Sequence, residues 1–253
     1  MSPETTNPPL YRNICEALNH HAKNRGETVA FTFLNESGLA HSSVTYNQLW
    51  DEATSLAKKL RTNNKHADRI LLIFNPGLEF IVAYFACLYA GMTAVPVAPA
   101  KFSRSGPIFK KIIADAEITT ILANEDIIEK GLQFFGQDSE HRHLRWGSIH
   151  QYSSTPSVKT PEDLSLAELQ DDDIALLQYT SGSTSLPKGV MVSHQNLILN
   201  IDELHRCYEH DSDTIVINWI PHFHDLGLIY GILTSLYTAC PCFLIAPASF
   251  LRK

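Results

Sequence analysis

A mostly parallel α/β fold follows from three features of this 253-residue sequence. Short apolar runs of strand length alternate with segments of helical periodicity from end to end, and repeated strand–helix alternation builds parallel sheets with helices on their faces. Two long uncharged stretches, 80–100 and 226–251, are each broken by glycine or proline into a helix and then a strand. That punctuation marks elements buried on all sides and interrupts the ~20 helical residues a membrane span needs. The length suits one large domain or two small ones, with material for a sizeable core.

The elements follow in order. Leu10, Ile14, Leu18 and Ala22 share one face of a first helix that ends near Gly26. Strands over 28–34 and 42–46 flank a turn at 35–38. Thr45 and Gln48 form a capping-box pattern, and Leu49, Ala53, Leu56 and Leu60 carry the apolar stripe of the helix behind it. A strand over 69–74 ends at Asn75-Pro76-Gly77. Helix 78–90, strand 93–97, helix 106–116, strand 118–123 and helix 125–135 continue the alternation. Gly91 ends the first of these helices, and Pro96 suggests a strand end or sheet edge.

Residues 136–165 are polar, with His141, His143, His150 and a Ser/Thr/Pro run, and form the one candidate linker or subdomain seam. Strand 174–179, a loop of small residues, strand 189–192 and a helix from the Ser193 cap to about Tyr208 resume the pattern. Strand 214–219, helix 225–238 and strand 242–246 complete it. There is no internal repeat. Ligands in such sheets bind beyond the carboxyl ends of strands, where the two most informative loops fall.

Composition narrows the function classes. The net charge of -7 argues against a nucleic-acid or anionic-membrane surface, and the apolar content excludes disorder. Cys15, Cys87, Cys207, Cys240 and Cys242 are too few and too scattered for a disulfide scaffold and fit a reducing, cytoplasmic setting. The N-terminal residues have neither a basic region nor an apolar core, so they form no secretory signal. Asn35-Glu36-Ser37 is then a turn and not a glycosylation site.

The strongest chemical signal lies at 177–190, where an apolar strand runs into Thr180, Ser181, Gly182, Ser183 and Thr184, then Pro187-Lys188-Gly189. Small residues admit a phosphate close to the backbone, hydroxyls and N–H groups donate to its oxygens, and a lysine adds charge. A Walker A loop would need glycine before the lysine and Ser/Thr after it, and here Pro187 and Gly189 hold those places. Ser185 and Lys188 match the Ser-x-x-Lys of serine β-lactamases, but the partner motifs of that chemistry are missing. A flexible surface loop is the plain structural alternative, and the buried strand leading into so many phosphate donors weighs against it.

The run Tyr-Thr-Ser-Gly-Ser-Thr-x-x-Pro-Lys-Gly-Val at 179–190 resembles the phosphate-binding signature of the adenylate-forming enzymes. That superfamily includes acyl-CoA synthetases, fatty-acyl-AMP ligases, luciferases and peptide-synthetase adenylation domains. The resemblance implies activation of a carboxylate by ATP with release of pyrophosphate. It would set Thr180, Ser181, Gly182, Ser183, Thr184, Lys188 and Gly189 around the phosphates, with Thr180 also contacting Mg2+. Ser185 stands where the family usually has glycine, which costs more if the backbone there adopts positive φ.

The second loop, 218–228, contains His222-Phe-His224-Asp225. Taken alone, His-x-His-Asp suggests part of a metallo-hydrolase site on His222 and His224, but no third or fourth ligand follows at suitable spacing. The plain alternative is a helix N-terminus with Asp225 as its cap. Trp-x-Pro-x-x-His-Asp-x-Gly-Leu resembles the loop that lines the acyl pocket in fatty-acyl-AMP ligases. By that resemblance His224 lies beside the substrate carboxylate and the adenylate phosphate as the catalytic group, acting by position and charge. Asp225 and Gly227 would shape the turn, and Gly231 would border the acyl tunnel. Leu226, Ile229, Leu233 and Leu236 are core first, tunnel second. A third stretch, 88–99, is similar to a structural segment of the same family.

The resemblance covers nearly the whole chain and implies the N-terminal portion of a fatty-acyl-AMP ligase's large domain. Its substrate would be a fatty acid and its acceptor an acyl carrier protein or a polyketide or peptide synthase module, with acyl-CoA synthesis as the less favoured relative. The family's later motifs, among them the metal-binding glutamate and the lysine of the mobile C-terminal domain, are not in the sequence. A chain lacking them is expected to show negligible adenylation alone, since positioning and charge stabilisation act as a unit. The competing reading is a catalytically inactive remnant that at most binds nucleotide or self-associates through an unfinished sheet.

Overall fold

The computed structural model describes residues 8–99, 102–136, 139–153, 169–180, 187–211 and 213–252. Helix α1 spans Ile14–Arg25 and starts where the Asn13 side chain accepts from the Glu16 N–H. Leu10, expected on its apolar face, precedes that cap and is 65% exposed. Strands β1 (Val29–Leu34) and β2 (Ala40–Thr45) pair antiparallel around Gly38 at φ 78°. Both halves of the expected capping box at Thr45 and Gln48 are present at the start of α2, Tyr46–Asn63.

Strand β3 (Arg69–Ile73), helix α3 (Leu78–Tyr89) and strand β4 (Thr93–Val97) follow. Gly91 between α3 and β4 sits at φ 70°, and a Cβ there would meet His66 Nδ1 at 2.7 Å, so glycine is required on both counts. Helix α4 (Phe102–Asp115), strand β5 (Thr120–Ala123) and helix α5 (Glu125–Phe135) come next. Within the polar stretch 136–165, a 3-10 turn (Ser139–His141), strand β6 (Arg145–Gly147) and helix α6 (Ile149–Ser153) are described. β6 pairs parallel with β5, and Arg145 fastens this edge by donating to the Asn63 carbonyl, Asn64 Oδ1 and Thr120 Oγ1.

The remaining elements are β7 (Ile174–Thr180), β8 (Lys188–Ser193), α7 (His194–Cys207) and β9 (Val216–Asn218). The helix expected over 225–238 is a π-helix at Leu226–Thr234 that tightens into α8, Ser235–Thr238. Nine residues of π-helix are rare, and such segments concentrate at functional sites. Strand β10 (Cys242–Ile245) and helix α9 (Pro247–Leu251), opened by a proline, complete the described order.

Two sheets result. Six strands run in the order β6-β5-β3-β4-β7-β8, parallel apart from the β7–β8 pair. Four strands run β2-β1-β10-β9, with β10 parallel to both neighbours. β3 shows why both faces of the larger sheet are covered: Ile70 and Leu72, with Phe74 just beyond the strand, join the core around α3, while Leu71 and Ile73 join Phe109, Ile112 and Ile113 of α4. α3 lies between the sheets, touching β1, β2, β3 and β4, and every residue from Phe80 to Tyr89 is buried. Each large apolar side chain buried there contributes roughly 1.5–3 kcal/mol.

Pro96 departs from expectation, because β4 is an inner strand. Its register with β3 runs from Thr93 to Val97, yet with β7 it keeps only the Ala94–Leu176 pair. Proline has no N–H to give the second ladder, so the sheet tolerates it by letting β7 diverge. No helix among the described residues is long and apolar enough to cross a membrane. All five cysteines are unpaired, and only Cys207 is exposed.

Candidate functional site

Strands β7 and β8 are the two arms that carry the small-residue loop. Thr180 and Lys188 face each other in register at the carboxyl end of β7, and both are exposed. The candidates Ser181, Gly182, Ser183 and Thr184, with Ser185, lie outside the described residues. Gly189 packs under β7: a Cβ there would fall 2.9 Å from Leu177 Cδ1 and 3.1 Å from Tyr179 Cζ. The Tyr179 hydroxyl donates to Asp115 Oδ2, tying the strand to α4, and burial together with that bond pushes the phenol's pKa up.

The second loop follows β9. Its first turn is closed by His224 N–H donating to the Pro221 carbonyl at 3.0 Å. Asp225 Oδ1 stands 2.6 Å from His224 Nδ1 and accepts from the Leu226 N–H at 2.7 Å, so it both holds the imidazole and caps the π-helix. The Leu226 N–H is farther from His224 Nδ1, 3.4 Å, and the shorter contact is the hydrogen bond. Nδ1 is thus the nitrogen engaged by Asp225, leaving Nε2 as the other ring nitrogen available for hydrogen bonding. Both side chains are more than half exposed.

Two glycines let this loop close on its helix. A Cβ on Gly227 would lie 2.2 Å from the Pro221 carbonyl oxygen, and one on Gly231 would lie 2.1 Å from Asn218 Nδ2. Asn218 occupies that space because it clasps the loop: Nδ2 donates to the Gly227 carbonyl at 2.9 Å and Oδ1 accepts from the Ile220 N–H at 3.0 Å. Gly231 thus packs against Asn218 at the base of the loop.

His222 and His224 do not converge. His222 is buried, its ring 4.2 Å from that of Phe80. Burial pushes its pKa down to about 4. Among the described residues no three His, Cys, Asp or Glu side chains cluster as a metal site would require.

The two loops are joined by a residue that motif reading passed over. Gln178, on β7 two residues before Thr180, donates from Nε2 to the Phe223 carbonyl at 2.8 Å. Phe223 lies between His222 and His224, so this bond fixes β7 against the histidine loop that follows β9. A polar side chain amid Leu176, Leu177 and Tyr179 is the only signal the sequence offered for it.

Comparison with known proteins agrees with this arrangement. A family model described as AMP-binding enzyme matches residues 18–253. The medium-chain-fatty-acid–[acyl-carrier-protein] ligase JamA of Moorena producens is 32% identical over 249 residues, covering 97% of this chain and 41% of that protein. The long-chain-fatty-acid–AMP ligase FadD26 of Mycobacterium marinum is 30% identical over 269 residues, covering 97% and 43%. Among solved structures, a fatty acyl-adenylate ligase from L. pneumophila in complex with acyl adenylate and pyrophosphate superposes with a TM-score of 0.83 at 32% identity, over 96% of this chain and 41% of that one. The chain spans about two-fifths of the length of these relatives and matches their N-terminal part. With its family match over residues 18–253 and β7 held to the histidine loop by Gln178, the chain belongs to the AMP-binding, adenylate-forming enzyme family.

Proposed function

We propose that this chain supplies the phosphate-binding and carboxylate-positioning part of a ligase that activates a fatty acid as its acyl-adenylate, releases pyrophosphate and passes the acyl group to a carrier protein. The observation that supports the reading is the Gln178–Phe223 bond, which ties the strand leading to Thr180 to the loop that carries His224. Names of the relatives, two fatty-acid ligases and an acyl-adenylate complex, support the substrate class.

The chemistry divides between the two loops. Lys188, with Thr180 and the residues 181–184, would hold the β- and γ-phosphates of ATP by charge and hydrogen bonds. Thr180, exposed at the strand end, offers a hydroxyl suited to Mg2+, which would neutralise phosphate charge. His224, fixed through Nδ1 by Asp225, would turn Nε2 toward the carboxylate and the α-phosphate, aligning the attack and offsetting charge without becoming covalently bound. Gly227 and Gly231 allow the loop to seat against its helix at the pocket wall. The setting would be cytoplasmic, where ATP and carrier proteins meet.

A second reading, favoured by the chain's two-fifths span of its relatives, is a nucleotide-binding piece that does not turn over alone. Fatty-acid-dependent ATP–pyrophosphate exchange, run beside equilibrium ATP binding, separates the two. Exchange that responds to fatty acid and is lost in His224→Ala supports the ligase. ATP binding without exchange supports the second reading, and neither binding nor exchange sinks both.

A further inference from the structure

Between the sheets, where the β3–α3 turn meets the histidine loop, lies a cavity of about 20 Å³ lined by Phe33, Gly77, Asn218, His222, Ile232 and Leu244, among others. One water needs about 10–15 Å³ measured in this way, so the space admits a single oxygen and little else. Two independent features make it polar. The first is the N-terminus of α3, a twelve-residue helix buried from Phe80 to Tyr89 and half-buried at its first turn, which begins at Gly77 with no side chain capping that turn. Its leading N–H groups are donors, and the helix dipole adds partial positive charge. Gly77 keeps the space open, since a Cβ there would meet nothing nearer than the Asn75 carbonyl at 4.0 Å.

The second feature is His222, which is 7% exposed and whose Nε2 has no hydrogen-bond partner among the described residues. Burial keeps the ring neutral at physiological pH, and in the tautomer protonated at Nδ1 the unpartnered Nε2 is a lone-pair acceptor. A buried acceptor without a partner costs ~1–3 kcal/mol, so it marks a place where a donor belongs. An anion would be repelled by the Nε2 lone pair and a cation by the helix end. A group that donates on one side and accepts on the other suits both walls.

We propose that this cavity seats one hydroxyl oxygen, which donates to His222 Nε2 and accepts from the N-terminal N–H groups of α3. That oxygen belongs either to an enclosed water or to a hydroxyl carried on the acyl chain. The second source rests on the fatty-acid reading above and sharpens it, making a hydroxylated fatty acid the preferred substrate class.

Calorimetric binding of a saturated fatty acid and its positional hydroxy isomers to the purified protein, beside a high-resolution structure without acid, decides between the sources. The expected result is one isomer binding about tenfold tighter than the unsubstituted acid, the worth of one hydrogen bond. His222→Phe, which keeps an aromatic ring against Phe80, should abolish that preference. No preference, with an ordered water bonded to Nε2, supports the site with water as its occupant. No preference and a dry cavity overturn the proposal. If no acid binds at all, the fatty-acid reading fails, and the presence or absence of the water still decides the hydroxyl site. The wild-type measurements stand even if His222→Phe does not fold.

Discussion

Gln178 Nε2 donates to the Phe223 carbonyl across 2.8 Å, joining a strand of the larger sheet to the loop that follows β9, 45 positions away in sequence. Gln178 is 8% exposed, and its Oε1 has no partner among the described residues. The side chain thus accepts one unsatisfied atom in order to satisfy a carbonyl in the histidine loop. A leucine would bury more comfortably here, so the amide serves the geometry of the site more than the stability of the core.

Gln178→Leu should therefore separate these two effects. Losing the bond to Phe223 costs about 1–2 kcal/mol, while removing the unpartnered Oε1 returns part of it, so net stability changes by under about 1 kcal/mol. The histidine loop loses its tether. Urea unfolding should show a near-unchanged midpoint, while amide hydrogen exchange at 221–226 speeds up. A large loss of stability with unchanged exchange in the loop would contradict the assignment.

Asn218 and Gly231 form a matched pair that a double-mutant cycle can read. Gly231→Ala pushes a methyl to 2.1 Å from an Asn218 amide held by two hydrogen bonds, so the amide cannot swing away freely. The expected cost is about 1–3 kcal/mol, typical of overpacking. In an Asn218→Ala background the same substitution should cost markedly less, because the obstructing atoms are gone. Additive effects would mean that the clash is relieved by movement of the helix instead.

Acid should destabilise the fold through its buried histidines. His21, His194 and His222 are each pushed by burial from an ordinary value near 6.5 down to about 4. Unfolded, they take up protons near pH 6.5; folded, only near pH 4. Between those values the unfolded chain binds more protons, so stability falls as pH drops through that window and the loss is complete below it. Each residue contributes on the order of 3 kcal/mol at most. Thermal unfolding from pH 7 to pH 4 should show the decline, and His222→Phe should shallow it. A flat profile between pH 6.5 and pH 4 would show that these rings already ionise in the folded state.

Much of this was legible in the sequence, and the exceptions share physical causes. Alternating strand and helix periods gave the sheets because β3, β4, β5 and α3 are apolar along their length. Thr45–Gln48 and Ser193 announced their caps through local bonds. β6 went unseen since three residues, Arg145-Trp146-Gly147, are too short to show a period and are held by Arg145's long-range bonds. The π-helix was hidden because its departure from 3.6 residues per turn accompanies the contacts of Gly227 with Pro221 and Gly231 with Asn218, not a composition. Local motifs named His224, Asp225 and Lys188, but Gln178's role depends on a partner 45 residues away in the loop after β9, which no local window contains.

Lys188 offers the cleanest test of the phosphate reading. It stands exposed at the first position of β8, in register with Thr180 at the end of β7. Because its side chain is at the surface, Lys188→Ala should leave unfolding stability within about 0.5 kcal/mol of wild type. Its effect on ATP should be far larger, because a charge-assisted bond to phosphate is worth about 1.5–3 kcal/mol, or roughly a 10- to 100-fold loss of affinity. The loss should shrink as salt is added, since screening already weakens the wild-type contact. Lys188→Arg keeps the charge but presents a planar fork in place of a compact ammonium, so it should recover only part of the affinity. Gly189→Ala serves as the steric control: its methyl meets the movable end of Leu177 at 2.9 Å and removes no charge, so any effect on ATP should be insensitive to salt. Equal ATP affinities for wild type and Lys188→Ala at low salt would remove the lysine from the phosphate site and leave the loop 181–186 to bind nucleotide through its hydroxyl and N–H groups alone.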